Sequence, residues 1–214
     1  MTPGKQPSRS GGLFVISAPS GAGKTSLVKA LLTRNPALSV SVSHTTRPRR
    51  PTEAQGREYW FVTPEEFQER LKRGEFLEYA QVFDNYYGTG KATVAALLAA
   101  GRDVILEIDW QGARQVRQSA PGCTTIFILP PSRAALEERL RNRRTDSEAV
   151  IARRLRDAVS DMSHYREFGY VVVNDDFDVA CGQLESILAG DGEGLRGDRT
   201  QLAPLLADLL GSGP

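Results

Sequence analysis

The stretch LFVISAPSGAGKT, residues 13–25, decides the fold. An apolar run from Leu13 to Ser17 passes into a loop of small residues, Ala18, Pro19, Ser20, Gly21, Ala22 and Gly23, that ends on Lys24 and Thr25. Such a loop can wrap its backbone N–H groups around a polyphosphate, because no bulky side chain blocks the approach and the helix that follows adds the positive end of its dipole. Lys24 is placed to reach the terminal phosphates, and Thr25 to offer its hydroxyl to a Mg²⁺ ion. Ala18 stands where the usual pattern has its first glycine, a change compatible with the loop if that position keeps φ < 0. A ligand-free turn between strand and helix is the plain alternative. Strand, loop and helix agree here on the phosphate reading.

Working outward, Leu27, Val28, Ala30, Leu31 and Leu32 recur at helical spacing until Asn35 and Pro36 interrupt it, which predicts a helix directly behind the loop. The order strand, loop, helix implies a parallel sheet. Further short, β-branched strands are predicted at 104–108, 125–129 and 170–173, with helices at 93–100 and 133–141 between them. The fold class is therefore α/β, a parallel sheet flanked by helices and buried on both faces. Residues 40–90 break the alternation with aromatics, paired arginines and turn residues, and are expected to form an insertion with its own small sheet around a helix at 64–73. Residues 139–156 are dense in arginine, with Asp146 and Ser147 placed to cap a helix starting near Glu148. Leu202, Leu205, Leu206, Leu209 and Leu210 form an amphipathic run expected to dock as a C-terminal helix after a Gly-rich linker. The polar start, residues 1–12, reads as a flexible tail with no secretory character.

Composition narrows the function. With 214 residues and 40% hydrophobic content the chain can build one good core, and it contains no apolar run near the ~20 residues that span a bilayer. A formal net charge of +1 argues against a general nucleic-acid surface, so any basic site is local. Cys123 and Cys181 with only two histidines, His44 and His164, suggest neither a disulfide framework nor a clustered zinc site. Free thiols in a reducing, cytoplasmic setting are expected.

A phosphate loop alone does not choose between a motor, a GTPase, a transporter subunit and a small-molecule kinase. The insertion is more selective. In SHTTRPRR, residues 43–50, Arg47 and Arg50 flank a turn where two guanidinium forks can converge on one phosphate. Tyr59 follows in GREYWF, Glu78 in GEFLEYA, and Tyr86, Tyr87, Gly88 and Thr89 in NYYGT. Together with EIDWQGA, FILPPS, MSHY and VVVNDD in that order, these segments resemble the bacterial guanylate kinases from about residue 13 to residue 188.

The resemblance implies a nucleoside monophosphate kinase architecture. A core at 13–42, 92–134 and 160–190 would carry a GMP-binding subdomain at 43–91 and a lid at 135–159, with a linker and helix at 191–214. It further implies that Arg47, Arg50, Tyr59 and Tyr87 hold the GMP phosphate, while Ser43, Glu78, Gly88 and Thr89 face the guanine. The chemistry is consistent with that assignment. Guanine presents N1–H and its N2 amino group on one edge, which a carboxylate such as Glu78 accepts, and hydroxyls of Ser43 and Thr89 can donate to O6; adenine lacks the amino group and carries an acceptor at N1.

In EIDWQG, Asp109 is expected beside the bound nucleotide, organising Mg²⁺-bound water or the acceptor. Glu107 stands where the family has aspartate, and Arg144 where it often has glycine. Among the lid arginines, Arg143 and Arg154 are expected to reach the phosphates, with Lys24 and Arg47 completing the catalytic set; Arg139, Arg141 and Arg153 read as a solvated helix face. Asn174 and Asp175 resemble the adenine-contacting segment of the donor site, and His44 and His164 read as structural. The implied substrates are ATP and GMP, with Mg²⁺, no nucleic-acid or membrane partner, and homo-oligomerisation left open. Two alternatives stand at this point: a kinase of a phosphorylated sugar, which would not need Glu78, and a non-catalytic guanylate-kinase-like interaction module, which would not need Lys24 and the arginine pair.

Overall fold

A computed structural model describes residues 11–82, 84–142 and 148–211. Its elements are, in order, β1 (Leu13–Ser17), α1 (Lys24–Arg34), β2 (Leu38–Val40), β3 (His44–Thr45), β4 (Trp60–Phe61), α2 (Pro64–Lys72), β5 (Phe76–Val82), β6 (Asn85–Gly90), α3 (Lys91–Ala99), β7 (Asp103–Glu107), α4 (Trp110–Ser119), β8 (Thr124–Leu129), α5 (Arg133–Arg141), α6 (Glu148–Ser163), β9 (Tyr170–Val173), α7 (Phe177–Ala189) and α8 (Ala203–Leu210). The chain divides into two compact units. One holds the described part of Met1–Phe14 with Pro36–Leu106 and Gln111–Cys123; the other holds Val15–Asn35, Glu107–Trp110 and the described part of Thr124–Pro214.

In the second unit β8 and β9 pair in parallel, Ile126 opposite Tyr170 through Leu129 opposite Val173. Ile126, Ile128, Leu129, Val171 and Val172 are fully buried, the apolar run expected of strands covered on both faces. Helix α1 turns Leu27, Val28 and Leu31 inward and stops where predicted, with Asn35 at its C-cap. Its N-cap is Gly23 at φ 93°, a left-handed conformation that a side chain would strain. The segment after α7 is fastened rather than a free linker. The Gly197 N–H donates to the Gly169 carbonyl at 3.1 Å, and Arg199 Nη1 to the Val171 carbonyl at 2.8 Å.

In the first unit β2 pairs in parallel with β7. Strand β7 begins one residue earlier than the apolar run suggested, because Gly12 accepts from the Val104 N–H at 2.8 Å while its own N–H donates to Asp103 Oδ1 at 2.6 Å. Gly11 and Gly12, expected in the tail, are thus tied down. The predicted inserted sheet is present as four strands in the order β4-β3-β6-β5. β5 and β6 form an antiparallel hairpin, and β6 pairs antiparallel with β3. Helix α2 begins at a full capping box, in which the Thr63 side chain accepts from the Glu66 N–H, Glu66 accepts from the Thr63 N–H, and Pro64 occupies N1. Its buried Phe67 stacks on Phe76 at 4.5 Å and on Tyr86 at 5.4 Å. A Cβ on Gly88 would lie 2.9 Å from Phe76 and 3.1 Å from Phe67, so packing alone accounts for a glycine there.

Candidate active site

The donor half lies within the second unit. β1 ends in fully buried Ser17, whose hydroxyl donates to the Ile108 carbonyl at 2.8 Å; Lys24 Nζ donates to the same carbonyl at 3.3 Å. The strand end at 107–108 therefore braces both ends of the loop. Gly21 and Gly23 both sit at φ 93°. A Cβ on Gly23 would come within 2.4 Å of Asn174 Nδ2, which excludes any larger residue without displacing that amide.

Asn174 explains the contact. Its side chain is buried, its Nδ2 donates to the Ala22 carbonyl at 2.7 Å, and its backbone N–H donates to the Leu129 carbonyl at 2.8 Å. Asn174, expected at the adenine, also donates through its side-chain nitrogen to the loop backbone. Asp175, the next residue, is exposed. Arg139, read from sequence as part of a solvated face, reaches the Asn174 carbonyl through Nη2 at 2.9 Å and keeps a buried Nη1 with no hydrogen-bond partner among the described residues. Its neighbours do behave as a solvated face: Arg141 pairs with Glu137 and Glu148, and Arg153 lies 3.9 Å from Asp157. Arg154 is half-buried on α6. Arg143, Arg144, Asp146 and Ser147 lie outside the described residues.

The oxygens beside the loop are those a small hard cation takes. Thr25 Oγ1 donates to Glu107 Oε2 at 3.3 Å, so the glutamate that replaces aspartate has the reach to meet the loop hydroxyl. Among the described residues no group of three or more His, Cys, Asp or Glu forms a metal cage. A hydroxyl and a nearby carboxylate fit Mg²⁺, which takes hard oxygen ligands, keeps several waters and accepts phosphate oxygens.

Asp109 follows on the same strand end, next to Trp110. The Trp110 indole stacks on His164 at 3.6 Å and 11° and donates through Nε1 to Asp161 at 3.2 Å. His164 Nδ1 lies 2.8 Å from Glu167 Oε1. His164 is thus a packing residue, as expected. Burial pushes the Asp161 carboxyl up to about 6, with the Asp109 and Asp157 charges adding to the rise against the Trp110 hydrogen bond.

The acceptor half lies within the first unit. Glu78 and Thr89 are cross-strand partners on β5 and β6, both buried, and the Thr89 hydroxyl donates to Glu78 Oε1 at 2.5 Å. Ser43 Oγ lies 3.2 Å from Thr89 Oγ1, completing a line of hydroxyl, hydroxyl and carboxylate. A buried carboxylate needs donors, and this one faces a strip already arranged around hydrogen bonding.

Arg47 folds over Tyr59 and Phe61, its Cζ 5.5 and 5.7 Å from the two ring centroids, and Tyr59 meets Tyr87 edge-on at 5.8 Å. Sequence reasoning missed what holds this arginine. Arg47 Nη2 donates to Glu53 Oε1 at 2.8 Å, and Glu53 Oε2 accepts the Arg50 N–H at 2.8 Å. The Arg47 guanidinium holds the Glu53 carboxyl below the usual carboxylate range. One carboxylate thereby shapes the whole 47–53 turn; a glutamate three residues past a paired arginine was the available signal. Arg50 points its guanidinium largely into solvent, its side chain 70% exposed against 16% for Arg47. His44 packs against Trp60 and Phe76, and burial lowers its pKa.

A guanylate kinase family model matches residues 10–191. The guanylate kinase of Methylococcus capsulatus is 60% identical over 199 residues, covering 93% of this chain and 98% of that protein. The guanylate kinase of Escherichia coli is 50% identical over 202 residues, covering 94% and 98%. The crystal structure of guanylate kinase from Anaplasma phagocytophilum matches with a TM-score of 0.70 at 32% identity, covering 92% of this chain and 94% of that one.

Proposed function

The chain belongs to the guanylate kinase family, and from that premise we propose that it transfers the γ-phosphoryl group of MgATP to GMP, giving ADP and GDP, in the recycling of purine nucleotides. An oxygen of the GMP phosphate forms a bond to the γ-phosphorus while the bond from that phosphorus to the β–γ bridging oxygen breaks, and the electron pair leaves with ADP. The acceptor is already an oxyanion, so no general base is required.

Each group then has a task set by its position. The backbone N–H groups that the loop between Ala18 and Thr25 offers, Pro19 having none, and Lys24 hold the donor phosphates, and Asn174 keeps the loop in the shape that aims them. Arg47, held by Glu53, and Arg50 with Tyr59 and Tyr87 fix the GMP phosphate, which lowers the entropic cost of meeting the donor. Glu78 accepts from the guanine N1–H and amino group, while Ser43 and Thr89 face O6. Arg143 and Arg154 are assigned to the migrating phosphoryl group, where fixed positive charge counts most in the transition state. Thr25 and the Glu107 carboxylate beside it, with Asp109 on the same strand end, are the residues that would hold Mg²⁺, which when bound would supply neutralising charge to the phosphates. Two free cysteines suit a reducing compartment such as the cytoplasm, and among the described residues no helix is long and apolar enough to cross a membrane.

The observation that carries the reading is the buried Glu78 carboxylate paired with Thr89 and Ser43. A sugar-phosphate kinase has no use for it, and an interaction module has no use for Lys24 with Arg47 and Arg50. A coupled assay of ADP release with GMP, AMP or ribose 5-phosphate as acceptor tests the assignment. Turnover with GMP alone supports it; comparable turnover with AMP removes the guanine site.

A further inference from the structure

Within the second unit lies a cavity of about 860 Å³ that shares no residue with the phosphate loop or its braces. It opens between the turn at 165–169, the segment 196–200 and one face of α8. Both of the latter lie past residue 191, where the family match ends. The volume is within the range of small-molecule sites.

Its lining has two characters. Buried Tyr165 and Phe168 meet Leu206 of α8 across an apolar wall. Among the other lining residues three are basic, Arg166, Arg196 and Arg199, with one carboxylate, Asp198, in the lining and a second, Glu193, paired with Arg196. Each guanidinium uses only part of its donor fork among the described residues. Arg166 donates through Nε to the Tyr165 hydroxyl at 2.8 Å, and Arg196 through Nε to Glu193 at 3.2 Å. Arg199 donates through Nη1 to the Val171 and Arg196 carbonyls at 2.8 and 3.0 Å. Arg199 is half-buried, its hydrogen bonds among the described residues go to carbonyls, and burial lowers its pKa. Arg196 is also held over the Tyr170 ring at 4.9 Å, which fixes its head at the cavity rim.

Three forks with spare donors beside an apolar wall match a ligand with an anionic head and an apolar or aromatic body, since guanidinium groups bind phosphate and carboxylate oxygens in pairs. We infer that this cavity is a second ligand site, distinct from the two substrate halves, that takes a small organic anion of that kind. A bare inorganic anion would leave the Phe168 and Leu206 side uncovered and bind weakly.

The test uses the full chain with ADP and GMP both saturating, so that the substrate sites are filled. Anilinonaphthalene sulfonate, a fluorescent aromatic anion, is titrated as the probe, with phenyl phosphate and inorganic phosphate as competitors. One probe should bind per chain, displaced by phenyl phosphate at concentrations where inorganic phosphate does little. The double variant Arg166→Gln/Arg196→Gln, both at exposed positions, should weaken probe binding by about tenfold or more while leaving thermal stability and phosphoryl transfer intact, because two charge-assisted contacts are removed. Leu206→Ala, at a half-buried position, should weaken it independently. Probe release by ADP or GMP, or equal binding by wild type and both variants, overturns the inference. So does a change of oligomeric state in the double variant without loss of probe binding, which would give this face to a second copy of the chain.

Discussion

Asn174→Ala is the substitution on which the account of the donor loop depends. The native amide is 5% exposed, and its Nδ2 donates to the carbonyl of fully buried Ala22 at 2.7 Å. Truncation leaves that carbonyl without its donor, at ~1–3 kcal/mol, and adds a small void. The sum is about 2–3 kcal/mol, which for a chain of this size lowers Tm by ~4–12 °C. The loop also loses its clip, so kcat/KM for ATP should fall by about tenfold or more, with KM for GMP close to wild type. Asn174→Asp sharpens the test because it keeps the shape. At neutral pH it sets a carboxylate oxygen against the Ala22 carbonyl, whereas the protonated acid can donate as the amide does. The folded-state pKa of that carboxyl is therefore raised above its unfolded value of ~3.9. Its stabilising contribution is present at low pH and lost as pH rises through the folded pKa. The deficit of the Asp variant relative to wild type should be smaller at pH 5 than at pH 8 in thermal denaturation. A Tm and ATP KM for Asn174→Ala equal to wild type, or an Asp deficit independent of pH, would refute the clip.

Other outcomes follow from the same geometry. Lys24→Ala should reduce kcat by ~10²-fold or more at near-native Tm, the cost of a charge contact made in the transition state, read by the coupled assay. Glu78→Gln removes a buried acceptor of the guanine edge and turns an amide donor toward it, so KM for GMP should rise by ~30-fold or more with ATP kinetics little changed. Asp161 has a folded pKa raised to about 6, so its contribution to stability is full below its unfolded pKa near ~4 and is lost as pH rises to about 6. The difference in unfolding free energy between wild type and Asp161→Asn should thus grow, in favour of the variant, from pH 4 to pH 7.

Local signals made much of this readable. The run from Leu13 to Thr25 has strand, loop and helix chemistry in sequence, and the structure places β1, the loop and α1 there. Glu78 and Thr89 are eleven residues apart, but a hairpin between them makes them cross-strand partners, so a resemblance that named both was also naming a contact. What stayed hidden depends on long-range partners that carry no pattern. The Asn174 amide meets Ala22, 152 residues away in sequence, and no local periodicity announces that. Arg139 sits among charged neighbours that look alike in sequence, and only the fold turns it toward the Asn174 carbonyl while Arg141 faces Glu137. Glu53 is inconspicuous in the sequence because an acidic residue in a basic turn reads as a charge balance, yet its two oxygens divide between Arg47 and the Arg50 N–H. Gly12 looked like tail because glycine carries no apolar signal, although its backbone pairs with Val104.

The central claim is that one phosphoryl group passes directly from ATP to GMP. Incubation of the purified chain with ATP labelled at the γ-phosphorus, Mg²⁺ and GMP, followed by separation of the nucleotides, reads it directly. The account predicts label in the β-phosphate of GDP, one equivalent for each ADP formed. Label recovered chiefly as inorganic phosphate, or transferred to AMP as readily as to GMP when both are present, would contradict it.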